Sequence, residues 1–389
     1  MLRVLSIQSD IIGNKTYSTI LRESFSSISD IELDSHWYNS ARSLSTRIIN
    51  KLASVSVPIL DADGKNLDLR RARVEWSYGR TSRLLTERLL QSGSYDLLHF
   101  HTQIQAYDAV DLMKRIPTII TTDLTASLAS KQRTILYPRT YRINIEFDRR
   151  VFAVAEHIVV FTEWARQSVI QDYGIDGSKV SVIPPGARLT TFSQPRFDER
   201  HIPKLLFIGG DFERKGGWDV LDVFMKYFAT TAELHIITAK QIKCQGGNVH
   251  LHTGVLPYTP EWHHLLQDAD VLVVPSYAEP YGLVFQEAGG YGLALIGSRV
   301  GGIPEIIVED QTGLLVEPGD RQDLRSKIEL LLSDPQRLIA MRRRSREVAV
   351  ECFDAGKNMS RLAARFRSLS SNLFSAVRLL DRNQHTISR

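Results

Sequence analysis

The chain has 389 residues, 43% hydrophobic and 24% charged, with net charge +4 and a pI of about 8.9. That balance excludes a disordered or fibrous chain, and no run approaches the roughly 18 apolar residues of a membrane span. Two cysteines, Cys244 and Cys352, are too few for a disulfide framework or a zinc site of the cysteine type.

The start, "MLRVLSIQSD", reads as a strand rather than a basic and apolar leader, so a cytoplasmic location is expected. The apolar runs at 3–8, 96–101, 117–123 and 157–162 read as buried strands, with helical patterns at 15–25 and 81–93 among them. The series repeats in the second half, with strands at 204–210, 233–238, 271–276, 293–298 and 314–318. Val/Ile/Leu runs without alternation are what a parallel sheet covered on both faces requires. The expectation is therefore α/β: two doubly wound Rossmann-like domains with a ligand cleft between them. The join falls in 182–204, which holds four prolines and no hydrophobic periodicity. The predicted organisation is domain 1–190, domain 191–355 and a helical segment 356–389 returning towards the first domain.

Three basic stretches, 69–76, 342–350 and 361–369, read as solvated helix faces. Together with the amphipathic 37–52 segment they also admit peripheral contact with an anionic membrane. Nucleic acid is not expected, since no binding motif or interleaved aromatics accompany the arginines.

Two turns carry the chemistry. In "FIGGDFERKGGWDVLDVF" (207–224) a strand ends at Gly209-Gly210, and Arg214 and Lys215 precede a helix. Glycines, cations and a helix N-terminus together favour a phosphate or diphosphate. In "EPYGLVFQE" (279–287) two carboxylates flank a turn. On one continuous helix they would stand about 80° and about 12 Å apart, too far to share a bond. Pro280 and Gly282 place Glu279 in the loop before the helix, and the open amides of Gly282, Leu283 and Val284 form a second anion site. Glu279 and Glu287 then suit hydroxyls on either side of a diphosphate, the layout of a nucleotide sugar.

These residues resemble the retaining GT-B glycosyltransferases of the glycosyl-transferase group 1 type, such as glycogen synthases and phosphatidylinositol mannosyltransferases. The likeness rests on "VSVIPPGA", "FIGGDFERKGG", "DADVLVVPSYAEPYGLVFQEAGGYGLALIGSRVGGIPEII" and "EDQTGLLVEPGD", occurring in that order. It implies a metal-independent transfer of sugar from a UDP- or GDP-sugar to the hydroxyl of a glycan, lipid-linked sugar or small molecule, as in polysaccharide or glycoconjugate synthesis. Lys215 and Arg214 would neutralise the diphosphate, Glu279 would contact the sugar and Glu287 the ribose. Gly13, in the place of the family's N-terminal glycine loop, would contact phosphate or acceptor. A front-face mechanism is implied, with the leaving diphosphate taking the acceptor proton.

Three positions depart from the family pattern. Gly210-Asp211 stand where an arginine is common, Asp123 where a histidine is usual, and Arg188 where an aspartate is common. Asp123 could bond a sugar hydroxyl but cannot act as an imidazole donor. It keeps open a non-catalytic nucleotide-sugar binder, and the two glutamates keep open a glycoside hydrolase. The two "DAD" triplets, 61–63 and 268–270, read as polar turns rather than metal sites. In "LLHFH", His99 is read as core and His101, on the opposite side, as reaching the cleft.

Overall fold

The computed structural model describes residues 1–10, 12–40, 43–60, 67–132, 135, 138–189, 202–242, 246 and 248–370. The Asp61–Asp63 triplet and Cys244 lie outside them. The chain divides into two compact units, Met1–Pro185 with the chain from Gly356 onward, and Gly186–Ala355.

The first unit runs β1 (Leu2–Gln8), α1 (Ile12–Phe25), β2 (Ile31–Trp37), α2 (Leu44–Ala53), α3 (Arg70–Ser92), β3 (Leu97–His101), α4 (Val110–Met113), β4 (Thr118–Thr122), α5 (Ala126–Ser130), α6 (Arg142–Val154), β5 (His157–Val160), α7 (Glu163–Gln171) and β6 (Val180–Val182). Its strands pair in the order β2-β1-β3-β4-β5-β6, every pair parallel. Residues 355–370 are helical, and from Gly356 onward they belong to this unit. Phe366 packs against Phe25 and His99, and Arg367 grips Asp30 through two bonds of 2.6 and 2.7 Å.

The second unit runs β7 (Lys204–Ile208), α8 (Gly217–Tyr227), β8 (Glu233–Ile237), β9 (Val249–His252), α9 (Pro260–Asp268), β10 (Val271–Val274), α10 (Leu283–Gly290), β11 (Ala294–Ser298), α11 (Ile303–Ile306), β12 (Gly313–Val316), α12 (Arg321–Ser333) and α13 (Pro335–Cys352). Its sheet is again parallel, ordered β12-β11-β10-β7-β8-β9. The order reverses between β7 and β10, and a ligand of an open α/β sheet binds beyond the carboxyl ends of strands at such a point. Both turns singled out above leave the sheet there.

Two sequence expectations change. Residues two apart on a strand share a face, so reading His99 and His101 on opposite sides was wrong. Both are fully buried: His99 bonds Ser6 at 2.7 Å and Thr121 at 2.9 Å, while His101 packs on Tyr17. Burial pushes the His99 imidazole down to about 3 and, with proximity to His99 as the lesser cause, His101 well below its ordinary value, so both are neutral. The basic stretch 342–350 is also not simply a solvated face. Arg342 is only 3% exposed; its Nη1 meets Asp270 at 2.6 Å and its Nε donates to the Gly292 carbonyl at 2.9 Å. This buried pair ties α13 to the start of β10. The 268–270 triplet is thereby accounted for, since Asp268 is held by Lys204 at 2.6 Å.

Candidate active site

The segment after β7 is shaped by steric demand. Gly209 donates its amide to the Ile237 carbonyl at 3.0 Å, so that amide is committed to the sheet rather than to a ligand. A Cβ there would stand 3.0 Å from the Lys215 Cβ and 2.9 Å from the Phe207 ring, so glycine is what lets the lysine stem lie against the strand end. Gly216 has φ +76, and a Cβ on it would fall 2.3 Å from the Pro275 carbonyl oxygen. The turn carrying Lys215 is therefore pressed directly on the end of β10. Gly210 is exposed, with open space around it.

Across that contact lies the loop 275–282. Glu279, 9% exposed, meets Lys215 Nζ at 2.6 Å and Arg214 Nη1 at 3.5 Å. Burial alone would raise its carboxyl, but Lys215 and then Arg214 outweigh this and hold it below its ordinary value. Glu279 is therefore ionised at neutral pH. Arg214 also donates to the Ala278 carbonyl at 2.6 Å and to Asp211 at 3.1 Å, and its own carbonyl accepts from the Tyr277 amide at 2.8 Å. It binds the two turns together as well as adding charge. Gly301 completes the support: a Cβ there would lie 1.8 Å from the Glu279 carbonyl oxygen.

Helix α10 then begins at Leu283 after Gly282, whose φ of +93 only glycine adopts without strain. The Phe285 amide donates to the Gly282 carbonyl at 3.0 Å, which leaves Gly282, Leu283 and Val284 as the first donors at this helix end among the described residues. Four steps on from Leu283, Glu287 is 5% exposed, and its Oε1 accepts from the Tyr258 hydroxyl at 2.6 Å. The Arg188 guanidinium sits 4.4 Å from the centre of the Tyr258 ring. Burial pushes the Glu287 carboxyl up to about 7, although Tyr258 and Arg188 act to lower it.

A pH effect follows with a definite sign. The folded state holds the Glu287 proton up to about 7 and the unfolded chain releases it near 4.5, so folding stability falls as pH rises through that window. Glu287→Gln should flatten this part of the profile, as read from melting temperatures across the window. An unchanged slope would show that Glu287 is not the group responsible.

The structure thus brings Arg214, Lys215, Glu279 and the amides after Gly282 together in the second unit, with Gly209 beneath Lys215 and Glu287 one helical turn further on. Asp123 and Gly13 belong to the first unit. Asp123 directly follows β4 and is half-buried, and Gly13 is exposed in the first turn of α1 with no atom near its missing Cβ. Tyr258 was not foreseen. No local pattern marks it, and only its left-handed backbone, φ +64, betrays a position held for a purpose. Arg188 was noticed only as a departure, and the structure gives it Tyr258 as a partner.

Residues 195–348 match the model of the glycosyl transferases group 1, and residues 62–190 match that of glycosyltransferase family 4. Residues 195–348 therefore carry a domain of the group 1 glycosyl transferases, preceded by one like those of glycosyltransferase family 4. The D-inositol 3-phosphate glycosyltransferase of Arthrobacter sp. (strain FB24) is 26% identical over 62% of this chain. The chain spans 63% of that relative's length. Among solved structures, the sucrose-phosphate synthase of Thermosynechococcus elongatus is 16% identical with a TM-score of 0.74, over 96% of this chain and 100% of its own. HepE of Anabaena, solved with UDP and glucose, is 15% identical with a TM-score of 0.67, over 95% and 100%. These likenesses and the two parallel sheets make the fold of this chain a two-domain α/β GT-B fold.

Proposed function

We propose that the protein transfers a glycosyl group, with retention of configuration and without a metal, from a nucleoside diphosphate sugar to an acceptor hydroxyl. The observation that carries this is the Lys215–Glu279 pair beside the open N-terminus of α10. Lys215 and the amides of Leu283 and Val284 supply positive charge for a diphosphate, and Glu279, held ionised, can accept from sugar hydroxyls. In the reaction the bond from the anomeric carbon to the diphosphate oxygen breaks and one to the acceptor oxygen forms. The acceptor proton passes to the departing diphosphate. The protein's part is to position both substrates and stabilise the charge that develops. HepE, solved with UDP and glucose, favours a UDP-sugar donor over a GDP-sugar.

Glu287 would serve the ribose hydroxyls once Tyr258 yields its hydrogen bond. A screen of nucleotide sugars for stabilisation, followed by nucleotide release with and without acceptors, tests the reading. Stabilisation without any release would leave a binder lacking catalysis, the outcome that Asp123 in place of a histidine favours.

The opposed shifts of Glu279 and Glu287 also resemble an acid–nucleophile pair. A lysine at 2.6 Å and an arginine at 3.5 Å nevertheless make Glu279 a poor nucleophile, and Tyr258 blocks Glu287. Release of sugar from an aryl glycoside without nucleotide would favour the hydrolase instead.

The acceptor is proposed to lie at an anionic membrane surface. No helix among the described residues is long and apolar enough to cross a membrane. Helix α2 nevertheless exposes Leu44, Ile48 and Leu52, at 75, 50 and 63%, in one stripe of four-residue spacing. Arg47 and Lys51 flank that stripe. Co-sedimentation with anionic vesicles at physiological salt is expected, falling at least fivefold in a Leu44→Ser, Ile48→Ser, Leu52→Ser variant. Equal sedimentation of both proteins would remove α2 from the contact.

A further inference from the structure

The far edge of the second sheet carries a cluster that the sugar-transfer reading does not use. Glu233 and His235 are two apart on β8, and His250 and His252 are two apart on β9, so each pair shares a face of its strand. The parallel register sets His235 opposite His250. The two rings stack with centroids 4.7 Å apart, and the His252 ring lies nearly parallel to that of His235, with centroids 5.3 Å apart. One ligating atom from each of Glu233, His235 and His250 lies within 4.8 Å of the other two.

We infer that Glu233, His235 and His250 form a site for one transition-metal dication, zinc by ligand type. Two imidazole nitrogens and one carboxylate oxygen on hydrogen-bonded strands form a three-ligand set that leaves coordination positions for water. The order of contacts around His235 supplies the outer shell such a site needs. Its Nε2 faces Glu233 Oε2 at 3.4 Å, and its Nδ1 lies 3.1 Å from His252 Nε2. His252 Nδ1 in turn stands 3.8 Å from Glu261 on α9. With Nε2 on the metal, the Nδ1 proton goes to His252, whose own Nδ1 faces the Glu261 carboxylate. This chain fixes the tautomer and orientation of the ligand.

Lys204 reaches Glu233 at 3.7 Å but is committed more closely to Asp268 at 2.6 Å, so a metal ion would displace only the longer contact. Since β9 is the outermost strand, the metal would clamp an edge otherwise held on one side only. The site lies two strands from β10, where the donor loop begins, and no part of the transfer reading depends on it.

The test is calorimetric titration of zinc chloride into the chelator-treated full chain, with any affinity tag removed. One equivalent should bind, raising the melting temperature, and cobalt(II) should bind at the same place with a visible ligand-field spectrum. His250→Ala changes an exposed side chain and should leave the circular dichroism unaltered. It should weaken zinc binding at least tenfold, as should His235→Ala, whereas His36→Ala in the first unit should have no effect. Absence of zinc binding by the wild type, or zinc binding in His250→Ala and His235→Ala equal to wild type, overturns the site.

Discussion

Replacing Lys215 by methionine is expected to lower glycosyl transfer about a hundredfold, or about 2.7 kcal/mol of transition-state stabilisation. Methionine keeps an unbranched stem against Gly209, where the lysine Cβ sits 3.0 Å from the position of a Cβ on that glycine, so packing survives and the charge alone is lost. The loss should fall mainly on kcat, because the diphosphate gains charge as it departs and the ammonium acts most strongly at that point. Glu279 would keep only Arg214 at 3.5 Å as a counter-charge, and burial would lift its carboxyl towards protonation. Glu279→Ala removes the hydroxyl acceptor instead and should cost at least tenfold. Steady-state kinetics with circular dichroism as a folding control distinguish these cases. Wild-type turnover in the methionine variant would remove Lys215 from the reaction.

The largest effect on stability is expected at Arg342. Arg342→Ala strands the Asp270 carboxylate, 2% exposed, with the Lys204 amide at 2.9 Å still donating to it. Leaving one member of a buried pair uncompensated costs roughly 3–5 kcal/mol, a large share of the roughly 5–15 kcal/mol that holds a domain folded. The double variant Arg342→Met, Asp270→Asn should recover most of that loss. Asparagine's carbonyl can still accept from the Lys204 amide, and no unpaired charge remains. Urea denaturation of the single and double variants checks this, and equal losses in both would show that helix packing, rather than the stranded charge, dominates.

The central strands of both sheets were legible because both their faces are covered, which forces runs such as "VLVV" and "HIVV". The edge strands β2, β6 and β9 were missed for the converse reason. "IELDSHW" and "VHLH" carry polar side chains because one flank has no neighbouring strand and their faces are only partly covered. In the candidate site, the two glycine turns were readable since left-handed backbone at Gly216 and Gly282 and the tight contact at Gly209 demand that residue. The bond from Tyr258 to Glu287 spans 29 residues, and the pair of Arg342 with Asp270 spans 72, and no local pattern announces either. Arginine in a basic helical run reads as solvated unless its partner across the fold is known.

On the proposed function, Lys215, Glu279 and the start of α10 are built around a nucleoside diphosphate. Calorimetric titration of UDP, UMP and uridine into wild type and Lys215→Met tests it most directly. Wild type is expected to bind UDP at least tenfold more tightly than UMP, and the variant to lose most of that margin while its weak uridine binding stays unchanged. Equal UDP affinity in the two proteins, or no preference for UDP over UMP in wild type, would contradict it.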